Sequence, residues 1–435
     1  MKTLHNFRKG DRLVVDIESI APGGEGVAKP AGIPVFVGRV APGDKVEIEL
    51  FDVRKNFAFG KTLRVIEASS LRAEPPCKLF KICGGCHWQH IGYDAQVNLK
   101  TDLVRQAIKH IGGIDPALVR DTVAAELPLF YRNKVQFPVS SPTKSTRILA
   151  GYYKEGSHEL VNIKHCPVQP EPLDHLLEAA KDILERHELS AYRESDHSGT
   201  IRHIAARYSF AFNEILVTFV INEAPPAADL TMEKLANVAD ELMDEVREIG
   251  GVCVNFNPDR GNRIMGQSWA CLAGRDHLRD ELKSSSATAT DQQRDGIIFK
   301  LTPLSFFQVN TSQSTKLLEL VFEAIQQHSK VRPRLIVDAY GGVGTIALWL
   351  SSYADKLICL EESASAIRDG NAIAALNGIT NINYKRGLVE MVLPELAASE
   401  SIDVIVLDPP RKGVDPKVIE AIAQSAAPLV IYVSC

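Results

Sequence analysis

The chain has 435 residues, of which 45% are hydrophobic and 24% are charged, and its net charge is -5. This length exceeds one typical core and predicts two to four domains. The negative charge argues against a protein that coats nucleic acid over its whole surface. The start "MKTLHNFRKGDR" lacks the apolar core of a signal peptide, and no apolar run approaches the roughly 18 residues of a membrane span. We therefore expect a soluble, cytoplasmic monomer that does not contact a membrane.

Residues 1–68 alternate between apolar and polar positions in short runs such as "RLVVDIESIA", "GIPVFVGRV" and "DKVEIELFDV". The segments "PGGEG" and "APGD" between the runs are typical of turns. About five short strands in this length predict a small OB-like β-barrel. Barrels of this type bind nucleic acid in some proteins and only protein in others, and both interpretations stay open here.

Three cysteines follow the barrel in "CKLFKICGGC", namely Cys77, Cys83 and Cys86, and Cys166 lies further along in "IKHCPVQ". Cysteines of an intracellular protein stay reduced, which favours metal ligands or a catalytic thiol over disulfides. Four thiolates suit either zinc or an iron–sulfur cluster. Zinc sites prefer two short C-x2-4-C pairs, so the spacing favours a 4Fe-4S cluster, with zinc as the alternative.

The middle of the chain, from residue 69 to residue 296, mixes helices and strands. "QVNLKTDLVRQAIKHIGG" predicts a helix that stops near Gly112, and "HIAARYSFAFNEILVTFVI" predicts a β-hairpin. Residues 131–167 hold six Lys/Arg and two acids, which suits either an RNA partner or a solvated sheet face. "KSSSATATDQQRDG", residues 283–296, is poor in apolar residues and predicts a surface loop or linker.

After residue 296 short apolar strands alternate with helical segments, which predicts a parallel, doubly wound sheet. "VDAYGGVGTIAL", residues 337–348, places a glycine-rich turn after the first of these strands. Glu361 ends the next strand, where a carboxylate can bind both hydroxyls of a ribose. The same geometry serves NAD and S-adenosylmethionine, so the pattern leaves the cofactor open.

"IVLDPPRKGVD", residues 405–415, ends the fourth strand, and its two prolines fix a rigid backbone next to Asp408. Methyltransferases that act on exocyclic amines usually follow the prolines with an aromatic residue, whereas this chain has Arg411. The sequence therefore favours a ring carbon as the target, and carbon chemistry of this kind needs a nucleophile. Cys435 follows the fifth strand, "PLVIYVSC", where a nucleophile would be expected.

These features together resemble the bacterial RNA uracil-C5 methyltransferases, in particular those of 23S ribosomal RNA. The resemblance covers nearly the whole chain and implies that the barrel is a TRAM domain. It further implies a 4Fe-4S cluster on Cys77, Cys83, Cys86 and Cys166, and S-adenosylmethionine as the methyl donor. Its implied cofactor-binding and catalytic residues are Gln308 of "FFQVN", Tyr340, Glu361 and Asp408, with Cys435 as the nucleophile. Transfer-RNA relatives typically lack the barrel and the cluster, so 23S ribosomal RNA is the expected partner.

The family differs from this chain after "SC", where it continues through further strands and a glutamate that acts as a general base. We therefore expect a C-terminally truncated, inactive chain with three domains, at residues 1–68, 69–296 and 297–435. The fold class expected is α/β, with an OB-like barrel, an α+β middle and a Rossmann-like sheet that lacks its last strands. Three alternatives remain: a noncatalytic RNA-binding protein, a transfer-RNA uracil-C5 methyltransferase and an exocyclic-amine methyltransferase.

Overall fold

The computed structural model describes residues 7–142, 145–329 and 331–434. The chain divides into two compact units. Unit 1 comprises Met1–Pro128 and Gly151–Pro167, and unit 2 comprises Leu129–Ala150 and Val168–Cys435. The division into three domains stays a prediction.

Unit 1 begins with a six-stranded barrel in the order β1-β5-β6-β4-β3-β2. Alternate residues of β5, such as Val46, Ile48 and Leu50, are fully buried in its core, as the apolar and polar alternation predicts. The strands are β1 Arg12–Asp16, β2 Ser19–Ile20, β3 Gly26–Ala28, β4 Val35–Val37, β5 Lys45–Val53 and β6 Ala58–Glu67.

The remaining strands, in chain order, are β7 Lys134–Ser140, β8 Leu149–Tyr153, β9 Leu160–Asn162, β10 Ile201–Ser209, β11 Glu214–Ile221, β12 Ile249–Phe256, β13 Ser268–Gly274, β14 Leu278–Leu282, β15 Ile297–Leu301, β16 Leu335–Ala339, β17 Lys356–Glu361, β18 Ile382–Arg386, β19 Val404–Leu407 and β20 Leu429–Tyr432. The α-helices are α1 Tyr93–His110, α2 Glu171–Arg186, α3 Asp229–Glu245, α4 Asp291–Asp295, α5 Thr311–His328, α6 Thr345–Leu350, α7 Ala364–Leu376, α8 Val389–Ser399 and α9 Pro416–Ser425. The helix predicted before Gly112 is therefore confirmed as α1.

In unit 2, β7 and β10 to β13 pair in the order β13-β12-β11-β10-β7. β10 and β11 form the antiparallel hairpin that the sequence predicts, and β11 and β12 run parallel. Helices α2 and α3 pack on this sheet, and the apolar stripe of α2 is fully buried. β13 lies at the edge of the sheet, and the loop between β12 and β13 projects from the carboxyl end of β12.

The second sheet of unit 2 has five parallel strands in the order β18-β17-β16-β19-β20. The predicted parallel, doubly wound sheet is confirmed. The strand order places β16, which comes first in the sequence among these five strands, between β17 and β19. In sheets of this kind, ligands bind in the crevice where the strand order reverses, at the carboxyl ends of the strands.

The prediction of a surface loop at residues 283–296 is partly wrong, because the segment contains α4. Thr290 caps this helix in a capping box with Gln293. Gln293 is fully buried and its Nε2 donates to the Trp349 carbonyl at 2.9 Å. Its polar composition predicts a loop. Composition alone does not reveal that polar side chains such as Gln293 fold inward and satisfy backbone groups.

Among the helices of the described residues, none is both long and apolar enough to cross a membrane.

Candidate active site

A cavity of about 1090 Å³ opens at the carboxyl ends of β16, β17 and β19 in unit 2. Three of the residues proposed from sequence as cofactor ligands line it: Tyr340 after β16, Glu361 at the end of β17 and Asp408 after β19. Gln308 is half-buried and does not line this cavity. The strand order therefore brings together three residues that are up to 68 positions apart in the sequence.

The turn after β16 approaches the neighbouring strand very closely at Gly341. A Cβ atom at this position would lie 2.4 Å from the Cys359 Sγ and 2.9 Å from the Asp338 Oδ2. Tyr340, Gly342 and Gly344 all have positive φ, at 62°, 59° and 82°. The left-handed conformation is easy for glycine and costly for tyrosine, so the turn holds Tyr340 in a strained backbone at the cavity.

Glu361 ties this turn to the next strand. Its two carboxylate oxygens accept the amide N–H of Gly342 at 3.0 Å and that of Ser363 at 2.7 Å. Each oxygen keeps a further lone pair, so the carboxylate can also accept hydrogen bonds from a ligand in the cavity. The backbone thus fixes the position of Glu361 before any ligand binds.

Three carboxyl groups meet around the turn: Asp338, Glu361 and Asp408. Asp338 is fully buried, and burial together with the charges of Asp408 and Glu361 raises its pKa to about 7. Burial also raises the pKa of Asp408. A site that raises carboxyl pKa values in this way favours a bound cation, which would stabilise their ionised forms.

Tyr384 of β18 supports the turn from the other side, a role that the sequence motifs did not reveal. Its hydroxyl donates to the Val343 carbonyl at 2.9 Å. A Cβ at Gly344 would lie 2.5 Å from this hydroxyl, and one at Gly370 would lie 2.6 Å from the ring. Tyr384 therefore leaves no room for a side chain at Gly344 or Gly370. This constraint is visible only once β18 is paired with β17.

A second wall of the cavity comes from residues 302–306, just before Gln308. Ser305 is held by two buried contacts, since its Oγ donates to Asp369 at 2.9 Å and its carbonyl accepts from Arg207 at 2.8 Å. Phe306 is 69% exposed, which is unusual for a large apolar side chain at a cavity. An exposed aromatic ring at this place offers a surface on which a base can stack.

The third wall is the loop after β12, residues 257–267, together with Trp269 of β13. Arg263, Met265, Gly266, Gln267 and Trp269 line the cavity. No sequence motif predicts this wall, because its residues form no catalytic motif and lie about 80 positions before the glycine turn.

The chain end lies beside the Asp408 segment. β19 and β20 are parallel with Leu407 opposite Tyr432, and the Val433 amide donates to the Leu407 carbonyl at 2.7 Å. Residues 433–434 and residues 408–410 therefore leave the sheet side by side. Cys435, the predicted nucleophile, lies outside the described residues.

The predicted cluster ligands Cys77, Cys83, Cys86 and Cys166 are half-buried and all belong to unit 1. Cys77, Cys83 and Cys86 lie between β6 and α1 in a segment without a helix or a named strand, where Cys83 forms an isolated antiparallel β-bridge with Lys154. The described residues contain no group of three or more His, Cys, Asp or Glu side chains arranged to hold a metal.

The backbone around Cys83 is nevertheless suited to a sulfur centre. The Gly85 amide donates to the Cys83 Sγ at 3.4 Å, as in the N–H···S bonds that surround iron–sulfur clusters. Gly84 donates to the Tyr153 carbonyl at 2.9 Å, and a Cβ there would lie 2.9 Å from the Glu155 amide nitrogen. Burial raises the pKa of Cys83, and the neighbouring Cys77 raises it further. A bound metal ion would relieve both effects.

Four phenylalanines contact one another on the barrel: Phe36, Phe51, Phe57 and Phe59. Neighbouring ring centroids lie 5.5 to 6.0 Å apart, and Phe51 is 52% exposed. Lys55 and Lys61 are exposed in the same two-strand region. Exposed aromatic rings next to basic side chains are typical of surfaces that bind single-stranded nucleic acid.

Comparison with known proteins agrees with this arrangement. A family model described as "TRAM domain" matches residues 7–63, and one described as "tRNA (Uracil-5-)-methyltransferase" matches residues 276–435. An uncharacterized RNA methyltransferase of Gloeobacter violaceus is 36% identical over 428 residues, which is 98% of this chain and 88% of that protein. The chain belongs to this family of RNA methyltransferases.

A second relative in the RNA methyltransferase family, from Bacillus cereus, is 33% identical over 98% of this chain and 88% of its own length. The crystal structure of a Pyrococcus abyssi tRNA (uracil-54, C5)-methyltransferase in complex with S-adenosyl-L-homocysteine superposes with a TM-score of 0.72. That chain is 21% identical, with 97% of this chain and 89% of that chain covered. The likeness shows that the two proteins share a fold. The predicted truncation, cluster and 23S specificity stay predictions.

Proposed function

We propose that the protein transfers a methyl group from S-adenosylmethionine to C5 of a uridine in RNA, and this proposal replaces the expectation of an inactive chain. The observation that carries the proposal is the meeting of Asp338, Glu361 and Asp408 at the carboxyl ends of three parallel strands, in a member of the RNA methyltransferase family. S-adenosylmethionine supplies an electrophilic methyl group on a sulfonium cation, which the carboxylates of Glu361 and Asp408 at the cavity attract. Membership of the RNA methyltransferase family favours S-adenosylmethionine over NAD as the ligand.

In the proposed site, Glu361 binds the ribose hydroxyls and Asp408 binds a polar group of the cofactor. Tyr340 lines the cavity on the strained turn, where it can contact the cofactor. Gln308 lies outside the cavity lining in this structure, and its proposed contact with the cofactor rests on the resemblance alone.

Uracil C5 is too weak a nucleophile to accept a methyl group directly. We propose that the thiolate of Cys435 adds to C6, which makes C5 enolate-like. C5 then forms a bond to the methyl carbon while the bond from that carbon to the sulfonium sulfur breaks, and S-adenosylhomocysteine leaves with the bonding electron pair. The C5 proton then leaves to a base, and the thiolate departs from C6 to regenerate the uracil ring. A cysteine is needed because only a good nucleophile that is also a good leaving group can do both steps.

The proposed substrate is 23S ribosomal RNA, with transfer RNA as the second candidate. The barrel and its four contacting phenylalanines favour a ligand with unpaired bases, which ribosomal loops provide. The name of the matching family model and that of the structural neighbour favour transfer RNA. In both cases we propose that Cys77, Cys83, Cys86 and Cys166 would hold a 4Fe-4S cluster with a structural role, and that the protein works as a cytoplasmic monomer.

The test compares unmodified transcripts of 23S ribosomal RNA and of transfer RNAs as acceptors of tritiated methyl groups. Digestion of the product to nucleosides identifies the modified base. We expect 5-methyluridine in the ribosomal transcript. Label only in transfer RNA would select the second candidate, and label in N-methylated adenine or guanine would refute C5 chemistry.

A further inference from the structure

The loop between β12 and β13, residues 257–267, is called the arginine loop here because it carries Arg260 and Arg263. Both arginines are exposed, and among the described residues neither forms an ion pair with an acidic side chain. Arg263 lines the cavity that holds Glu361 and Asp408. Its cation therefore lines the same cavity as the carboxylates.

The arginine loop is rigid, although it has no regular secondary structure. The buried Asn257 donates to the carbonyls of Arg263 and Ile264 at 2.7 and 2.9 Å. The buried Asn255 donates to the Gly266 carbonyl at 3.0 Å and accepts the Gly266 amide at 2.7 Å. These side chains satisfy the backbone groups that a loop would otherwise leave to water, so they fix its shape.

Two further contacts fix the same loop. The buried Arg202 donates to the carbonyls of Asn257 and Asp259, both at 2.6 Å, and stacks 4.6 Å from the Tyr192 ring. A Cβ on Gly266 would lie 1.8 Å from the Phe256 carbonyl oxygen, so that only glycine fits. A buried cation and an obligatory glycine therefore hold this exposed loop in one position. Arg263 and Gln267 are the exposed side chains with which this loop lines the cavity, and the exposed Arg260 precedes Arg263 by three positions.

The chemistry of the proposed substrate explains what such a loop would bind. A uridine can reach the cavity only when its base leaves the stack, and its flanking phosphates then stay at the mouth. The guanidinium group of arginine matches phosphate oxygens with two parallel hydrogen bonds. A phosphate is also repelled by the carboxylates at the floor of the cavity, which keeps the RNA backbone at the rim.

We propose that Arg260 and Arg263 clamp the RNA phosphates next to the target nucleotide, and that Asn255, Asn257 and Arg202 are positioning residues for this clamp. The inference rests on the proposed function, since it takes a flipped uridine as the occupant of the cavity.

The test measures the affinity of the full chain for the unmodified 23S transcript across a salt series. We expect the double variant Arg260→Ala, Arg263→Ala to bind about tenfold more weakly, as for the loss of charge-assisted hydrogen bonds. The slope of log affinity against log salt should fall by about 0.7 for each lost phosphate contact. Compared with Arg263→Ala, the variant Arg263→Lys should restore the salt slope but only part of the RNA affinity. Lysine keeps the charge at this position and loses the bidentate geometry of the guanidinium group.

Arg247→Ala is the matched control, because Arg247 is exposed just before β12 and the arginine loop follows the other end of that strand. Equal RNA affinity and salt slope in the double variant and this control would overturn the clamp. If wild type makes 5-methyluridine in that case, the proposed function stands without the clamp. If wild type makes none while the double variant still loses affinity and slope, the proposed function fails and the phosphate contact stands.

Discussion

The cysteine segment of unit 1 and the cavity of unit 2 are both built from short sequence motifs, but their side chains are held in different ways. In the cavity, Glu361 accepts two backbone amides and Asp338 accepts the Ala347 amide at 3.0 Å, so parallel strands and helix starts fix them. The segment of Cys77, Cys83 and Cys86 has no helix or strand, and its described thiols form no metal-binding group.

This difference indicates two kinds of ligand site. The cavity is organised by the fold, so a ligand enters a site that already exists. The proposed cluster would bind four thiols of unit 1, so its binding would contribute to the folding free energy. Variants in the cavity should therefore change chemistry or binding and leave stability nearly unchanged, whereas variants in the cysteine segment should do the reverse.

The largest expected effect is that of Cys435→Ala. Removing the nucleophile should lower methyl transfer at least about a thousandfold, because C5 is not activated without the thiolate adduct. The unfolding midpoint and the affinity for S-adenosylmethionine should stay unchanged. The assay follows tritiated methyl groups into unmodified RNA, with Cys271→Ala, at an exposed cysteine outside the cavity, as control. Wild-type rates in Cys435→Ala would remove this residue from the mechanism.

Next in size is the effect of Cys83→Ala on the cysteine segment. Protein purified without oxygen should hold about four irons per chain, and the variant should lose them. Because cluster binding contributes to folding, the unfolding midpoint of unit 1 should fall by roughly 5–10 °C. Iron analysis and thermal unfolding measure both effects. One zinc per chain in the wild type would select the zinc alternative, and a fully stable but inactive variant would contradict a structural role.

A smaller effect is expected for Glu361→Ala in the cavity. The variant should weaken S-adenosylmethionine binding by about 1–3 kcal/mol, the range for losing a charge-assisted hydrogen bond. Calorimetry measures it, and Glu361→Gln, which keeps an acceptor for the Gly342 amide, should lose less. Glu395→Ala on the exposed face of α8 is the control. Unchanged affinity in Glu361→Ala would refute the ribose contact.

The smallest expected effect is a pH dependence caused by Asp338, whose pKa burial raises to about 7. Below that value the carboxyl is neutral and does not attract the sulfonium, so affinity for S-adenosylmethionine should rise roughly three- to tenfold as pH increases through 7. Asp338→Asn should flatten this dependence. Calorimetry at several pH values measures it, and an affinity that falls with increasing pH would contradict the assignment.

The same pKa shift has the opposite consequence for the protein without ligand. Between the ordinary carboxyl value of 3.8 and about 7, the folded protein holds a proton that the unfolded chain has lost. The free energy of unfolding should therefore decrease as pH rises through this range and level off above it. Bound S-adenosylmethionine should reduce that loss.

Much of the fold and part of the site could be predicted from the sequence. The alternation of strands and helices after residue 296 predicted the parallel sheet, and the ends of its strands predicted Glu361 and Asp408 at one edge, whereas Tyr340 was implied by the resemblance. The sheet is confirmed and the three residues line one cavity, because side chains at the carboxyl ends of parallel strands share an edge regardless of loop details, while their cofactor contacts stay predictions.

Other parts of the site depend on pairings that no local pattern encodes. The arginine loop lines the cavity although it follows β12, which belongs to a different sheet from the strands that carry Glu361 and Asp408. The side chains that bind its backbone, Asn255 and Asn257, match no motif in the sequence. The contact of Tyr384 with Gly344 likewise depends on β18 lying next to β17. The α4 helix was missed because its capping box lies in a polar segment that resembles a loop.

The central claim, that the methyl group replaces the hydrogen on uracil C5, is tested most directly with RNA that carries tritium at that position. During the reaction with unlabelled S-adenosylmethionine, the tritium released to water is compared with the methyl groups transferred. The mechanism predicts one tritium released for each methyl group, and no release by Cys435→Ala. Methyl transfer without tritium release would place the methyl group elsewhere on the nucleotide and contradict the account.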